Sequence, residues 1–263
     1  MDRRRHAVEL SRPLRQALLR IGAAFGSPDF EPATARRRFV IAANDYVTAV
    51  FFPKLISFFK TEAPHIDLII RPSTRLDLAE QIDMGRIDVA LGVFSSVPPR
   101  FSSRAILRQD EVLVMRKGHA ASGRLLSLQE LAESSLATVS LGGLEEGAVS
   151  GFIMERGLAR QSEMFDRAAL ERAMDEKKLT PRLLLMLPHF LALPMLLADS
   201  DLLAIVPRPL AHVFTASGAI AMRELPYPTT PVVVQAVWHT RNDDDPAHKW
   251  LREAIVNMGQ SMS

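Results

Sequence analysis

Ten residues stand beside short apolar runs and carry side chains suited to holding a small molecule rather than transforming one. Asn44, Asp45 and Tyr46 follow the run Val40 to Ala43, Ser73 and Thr74 follow Ile66 to Arg71, and Phe94 and Ser95 follow Ile87 to Val93. His189 and Phe190 follow Leu183 to Leu187, and Thr138 lies within Ala137 to Leu141. The amide, hydroxyl and imidazole groups offer hydrogen bonds, and the rings offer apolar walls. Any one Ser, Thr or Asn at such a place is also a natural helix cap or turn residue, so the argument for a site is their convergence from separate runs. Asp45 would repel an anionic ligand unless paired or protonated; this favours a neutral phenolic ligand, or a carboxylate that points elsewhere.

Catalytic chemistry finds no comparable set. The chain has no cysteine, which removes disulfides, thiolate metal sites and cysteine nucleophiles. It contains no GxSxG, HExxH, GxGxxG or GxxxxGK[ST] pattern, and the glycine-rich stretch from Gly142 to Gly151 is expected to be a flexible surface loop. His239, Asp243, Asp244, Asp245 and His248 crowd together but match no ligand spacing, and Asp245 before Pro246 is explained as a helix cap. Binding without a metal, a cofactor or turnover is the expectation.

The elements that must position these residues alternate. Val40 to Ala43 is too short a run for a helix and reads as a buried strand. It feeds an amphipathic helix in which Val47, Phe51, Leu55 and Phe59 recur every four residues, with Phe52 and Ile56 beside them. A second strand over Ile66 to Arg71, a short helix capped by a Thr74–Asp77 box and closed by Gly85, and a third strand over Ile87 to Val93 complete a right-handed parallel α/β unit. In such sheets small ligands sit outside the carboxyl ends of the strands, where helix N-termini present unpaired N–H groups. Strands are expected at Arg104 to Leu107, Glu111 to Arg116 and Ala137 to Leu141, and a helix at Leu126 to Glu133 with Ser127 as cap. A charged helix over Phe152 to Lys177 follows. A second alternating unit runs from Leu183 through the helix opened by Pro188 to Ile220, and Val232 to His239 carries the chain back to the first.

Composition bounds the setting. With 263 residues and 48% hydrophobic content the chain can fill a substantial core, and its net charge of +2 hides an asymmetry. Residues 1 to 38 hold 9 Lys/Arg against 4 Asp/Glu, and residues 39 to 263 hold 23 against 26. The main body therefore offers no broad basic face to nucleic acid. No apolar run is long enough to span a bilayer and the basic start leads into no signal core, so a cytoplasmic protein with no membrane partner is expected. Near the N-terminus Ala7, Leu10, Leu14, Ala17, Leu18, Ile21 and Phe25 form a narrow apolar seam between arginines, the pattern of a helix that pairs with another copy.

Several stretches together resemble LysR-type transcriptional regulators. FFPKLISFF (Phe51 to Phe59) and IDVALGV (Ile87 to Val93) resemble their effector domain, and HAVELSRPLRQALLRIGAAF resembles their linker helix. More specific are PHFLALPMLLADSDLLAIVPRPLA (Pro188 to Ala211) and VWHTRNDDDPAHKWLRE (Val237 to Glu253), which resemble the branch responding to aromatic acids and nodulation flavonoids. DRAALERAMDEKKLTPRL resembles the family's second-lobe entry helix, so residues of about 142 to 165 look like an addition.

The resemblance implies an α/β fold of periplasmic-binding-protein type II: two Rossmann-like lobes joined by two crossover strands, with the ligand between them. Residues 1–35 would be the linker and dimerisation helix, 36–136 plus 233–263 the first lobe, and 137–232 the second, with the first crossing just before Ala137. It further implies a small aromatic effector, with His189 in the cleft, and a homodimer or homotetramer whose geometry the effector alters to control transcription. DNA contact would come only through a winged helix-turn-helix absent from this chain, which starts where the linker should already have begun. Two rivals share the architecture. A free-standing solute-binding protein would need a signal peptide, and a two-lobed enzyme would need a nucleophile or acid/base set.

Overall fold

The computed structural model describes residues 30–74, 76–141 and 148–262; the expected linker helix lies outside them. The chain opens with β1 (Arg37–Ala43), α1 (Asp45–Glu62), β2 (Ile66–Pro72), α2 (Leu78–Asp83) and β3 (Val89–Gly92). β1 pairs in parallel with both β2 and β3. Asn44 starts α1 by accepting the Val47 N–H on its side chain, which satisfies one of the orphan donors of the first turn. The buried face of α1 carries Val47, Phe51, Phe52, Leu55 and Phe59 as the periodicity predicts, but Ile56 is exposed. At α2 the cap is Asp77, whose carboxylate accepts the Glu80 N–H, rather than the expected Thr74. Gly85 follows in the left-handed region at φ +68°, the conformation that a helix-closing glycine supplies without a Cβ clash.

β4 (Phe94–Ser96) and β5 (Phe101–Gln109) come next, then β6 (Glu111–Arg116), α3 (Leu128–Glu133) and β7 (Ser135–Val139). Ser127 and Glu130 form the reciprocal box at the start of α3. β5 belongs to the first sheet and β6 to the second, so the chain crosses at Asp110 and not, as expected, just before Ala137. The reason is long-range: β6 is buried over Glu111–Met115 because β11 (Leu203–Pro207) and β12 (Ile220–Arg223) enclose it on both sides.

The expected helix from Phe152 is also corrected. Phe152–Glu155 and Leu158–Gln161 are strands β8 and β9 of a hairpin, and the helix α4 is confined to Arg167–Glu176. Arg156 and Gly157 at the tip both have positive φ, 47° and 88°, the requirement of a two-residue turn matching the twist of its strands. Beyond it lie β10 (Arg182–Leu187) and α5 (Leu193–Ala198). Pro188 sits in the turn before α5 rather than in its first turn, where Pro194 stands instead. After β11 come α6 (Arg208–Thr215) and β12, and β13 (Val232–His239) and α7 (Pro246–Gln260) close the fold.

The first sheet has the order β2-β1-β3-β13-β5 and the second β10-β7-β11-β6-β12. In each, three parallel strands meet an antiparallel strand that enters from the other side of the molecule, so the two units repeat one topology in unrelated sequence. A third sheet, β4-β9-β8, joins a strand following β3 to the added hairpin. The largest core cluster runs from Phe39, Ile41 and Leu55 through Val112 and Val139 to Val206 and Phe214, binding both units together.

Candidate functional site

A small cavity of about 30 Å³ lies where the carboxyl ends of β1, β2 and β3 face the crossing at Asp110. Leu78, Leu91, Val93, Phe94, Leu141 and Met164 make its apolar walls. The polar groups are few: Asn44, Tyr46 and Ser73 from the first unit, Gln109 and Glu111 on either side of the crossing, and Arg160 and Gln161 from the hairpin. An apolar enclosure with a handful of fixed polar groups is the usual form of a small-molecule site.

Of the ten residues singled out by sequence, the cavity brings together Asn44, Tyr46, Ser73 and Phe94. The Asn44 amide is used twice. Its oxygen caps α1, and its nitrogen lies 3.6 Å from the Met164 sulfur across the cavity. Tyr46 donates its hydroxyl to the Gln109 side-chain oxygen, and burial pushes its ionisation well above the ordinary tyrosine value. Its ring meets Phe190 edge-on at 6.0 Å. Ser73 is held by its N–H on the Ala43 carbonyl oxygen.

The other six lie outside the lining. Asp45 turns away and accepts the N–H groups of Phe190 and Leu191 with one oxygen, while the other is buried with no hydrogen-bond partner among the described residues. Phe190 is fully buried in the core behind Tyr46. Thr138 is buried in β7 with its hydroxyl 3.5 Å from the Leu185 carbonyl oxygen. Thr74 is half-buried at the flank, and Ser95 and His189 are exposed. For His189 this removes the expected cleft position: the edge strand β10 ends at Leu187, and Phe190 takes the inward position.

Sequence reasoning missed Gln109, Glu111, Arg160, Gln161 and Met164. A signal for Glu111 existed, a lone carboxylate at the head of the apolar run Val112 to Met115. Both of its oxygens accept the Asp166 N–H, at 3.0 and 3.1 Å. Burial, reinforced by the charges of Asp166 and Asp110 and opposed by that backbone hydrogen bond, pushes its carboxyl up to about 7. Arg160 is 4% exposed, with Glu155 at 3.5 Å. Its signal was the Arg-Gly step between two short mixed runs, a hairpin mark overshadowed by the charged composition of the segment.

Nothing in the lining pairs a nucleophile with a base. No cluster of three or more His, Cys, Asp or Glu among the described residues could hold a metal. The crowded acidic segment has other employment: Asp245 caps α7, and Asp243 accepts the Trp238 indole N–H.

The family model described as LysR substrate binding domain matches residues 32–164 and 153–260. HTH-type transcriptional activator NagR of Ralstonia sp is 26% identical over 96% of this chain and 77% of its own length. Among solved structures, the regulatory domain of MexT, a transcriptional activator in Pseudomonas aeruginosa, superposes with a TM-score of 0.68 at 23% identity, covering 86% of this chain and 100% of that one. The effector binding domain of QuiR in complex with shikimate superposes at 0.62 with 14% identity, covering 86% and 99%. Two repeated α/β units, joined by two crossovers around a cleft of periplasmic-binding-protein type II form, are thus the effector-binding part of a transcriptional regulator, and the chain belongs to the LysR substrate-binding domain family.

Proposed function

We propose that this domain senses a small aromatic acid or phenol in the cleft between its two sheets and passes the binding event to an oligomer that controls transcription. The observation that carries the reading is the cavity itself, apolar on most sides, with its few hydrogen-bonding groups contributed by both units. A ligand touching both units changes their relative free energies of orientation, and it acts only through its difference in affinity for the two states. In this reading the chain works in the cytoplasm as a homodimer or homotetramer, binds without turnover, and leaves DNA contact to a winged helix-turn-helix outside the effector domain. Exposed apolar side chains support a second copy: Ile56 on α1, and Leu184, Met186 and Met195 along β10 and α5. Among the described residues no helix is long and apolar enough to cross a membrane.

The test is thermal unfolding against benzoates, salicylates, hydroxycinnamates and flavonoids, since a ligand that binds only the native state raises the midpoint. The shift should vanish in Asn44→Ala, which lies in the lining, and persist in His189→Ala, which does not. No shift with any of these compounds would remove the aromatic effector class.

A further inference from the structure

The hairpin that the sequence suggested was an addition leaves the second unit, crosses the cleft and is held on the first. At its root Leu141 donates its N–H to the Ser162 carbonyl oxygen at 2.7 Å, and Met164 donates to the Val139 oxygen at 3.0 Å. On the far side β9 pairs with β4, and Gln161 donates to the Val93 oxygen at the end of the first unit's sheet. Gln161 and Met164 line the cavity on the way. The hairpin is therefore a strap across the cleft, a non-covalent link added to the two crossovers of the chain.

Its tip rests on the start of α2. Arg156 donates to Asp77 at 2.6 Å and to Glu80 at 3.2 Å, Glu155 accepts the Leu78 N–H at 3.1 Å, and Arg100 donates to the Arg156 carbonyl oxygen at 3.0 Å. Behind them Leu158 is buried in a cluster with Leu78, Phe94 and Phe101. The Arg156 side chain is more than half exposed, so its ion pairs are weak and screened by salt. The space beneath the strap is too small for its task. About 30 Å³ holds no more than a water or two, whereas an engineered cavity that accepts benzene measures about 150 Å³. A wall must move before an aromatic ring can enter. The strands on either side are core strands of the two sheets, and the strap is the wall whose outer end is fastened by surface contacts.

Building on the effector reading above, we infer that the hairpin is a latch: a molecule of aromatic size reaches the cavity only when the tip lifts off α2 and β9 parts from β4. Entry then depends on a local opening that is a minor state of the free protein, and the ease of that opening sets the rate of binding.

Hydrogen exchange of the full chain without ligand tests the opening itself. Arg156→Gln removes the tip's ion pairs and touches no buried group, so it should speed exchange at the β9 amides by about threefold to tenfold and leave those of β11 unchanged. Added salt should raise β9 exchange in the parent and not in Arg156→Gln. If the β9 amides exchange only with global unfolding in both chains, the latch is overturned. Binding is tested with a disulfide, since the chain has no cysteine of its own. Ser96 and Ala159 are partners in the β4–β9 pair, and such partners lie about 4.5–5.5 Å apart at Cα, within reach of a disulfide. The oxidised Ser96→Cys/Ala159→Cys chain should not bind salicylate and should regain binding on reduction, while Arg156→Gln should bind it faster by the factor seen in exchange. Equal binding by the oxidised and reduced forms would overturn the latch and leave the effector reading standing. If exchange follows the stated pattern but neither salicylate nor any other compound of the aromatic panel binds the reduced or parent chain, the effector reading falls and the latch stands.

Discussion

One oxygen of Asp45, the first residue of α1, accepts the backbone N–H of Phe190 at 2.5 Å, and it also takes the Leu191 N–H at 2.9 Å. The carboxylate thereby ties the helix that follows β1 to the turn that follows β10, one from each sheet. It is a structural tie between the two units rather than a ligand contact. Asp45→Ala would leave two backbone donors without their acceptor, a loss of about 2 kcal/mol, which for a chain of this size lowers the melting midpoint by roughly 4–8 °C. Asp45→Asn keeps an acceptor oxygen and should lose less. A midpoint unchanged in Asp45→Ala would mean that the tie contributes nothing.

Arg208 makes the corresponding connection at the crossovers. Its guanidinium donates to Asp110, the residue between β5 and β6, and to Glu224, which leaves β12 toward β13. These hydrogen bonds hold both carboxyls below their ordinary range. A carboxyl depressed on folding adds stability that is present above its unfolded value and is lost as pH falls through the folded one. Chemical denaturation between pH 6 and pH 3 should therefore show a loss of stability in the parent that is smaller in Arg208→Met. The groups are partly exposed, so the effect is modest and shrinks in high salt. Equal slopes would show that the arginine does not set the acid sensitivity.

Gly259 lies in the buried face of α7 against β5, and a Cβ built there would come 2.5 Å from the Ile106 carbonyl oxygen. Gly→Ala inside a helix ordinarily stabilises by about 1 kcal/mol. Here the close approach should reverse the sign, destabilising by about 1–3 kcal/mol through overpacking, as read by urea unfolding. A stabilised Gly259→Ala would mean that α7 can move off β5 without cost.

What was legible in the sequence was mostly local. Asn44 before Asp45–Glu62, Ser127 with Glu130, and Asp245 before Pro246 each act over three residues, so the cap is written beside the helix it starts. The apolar face of α1 was legible for the same reason. The crossing at Asp110 was not, because the sheet that claims Glu111–Arg116 is decided by pairing with Ile220–Arg223, far along the chain. The cleft followed that division. Asn44, Tyr46, Ser73 and Phe94 sit near the ends of strands that the periodicity revealed, whereas Arg160 enters only because Leu158–Gln161 pairs with Phe94–Ser96.

Glu111 gives the clearest pH signature. Burial, its largest influence, moves its carboxyl from an ordinary 4.5 to about 7, so the folded chain keeps a proton that the unfolded chain has released. The sign is opposite to that of Asp110: stability is lost as pH rises from about 4.5 to about 7, and the penalty is complete above that. Its size is on the order of 3 kcal/mol, as follows from the free energy of moving a buried carboxyl that far. Glu111→Gln cannot ionise and still offers one oxygen to the Asp166 N–H. The variant should therefore gain on the parent as pH rises, by a few kcal/mol between pH 5 and pH 8 in urea unfolding at fixed ionic strength. A difference that stays constant with pH would show that Glu111 ionises in the folded cleft as readily as in the unfolded chain.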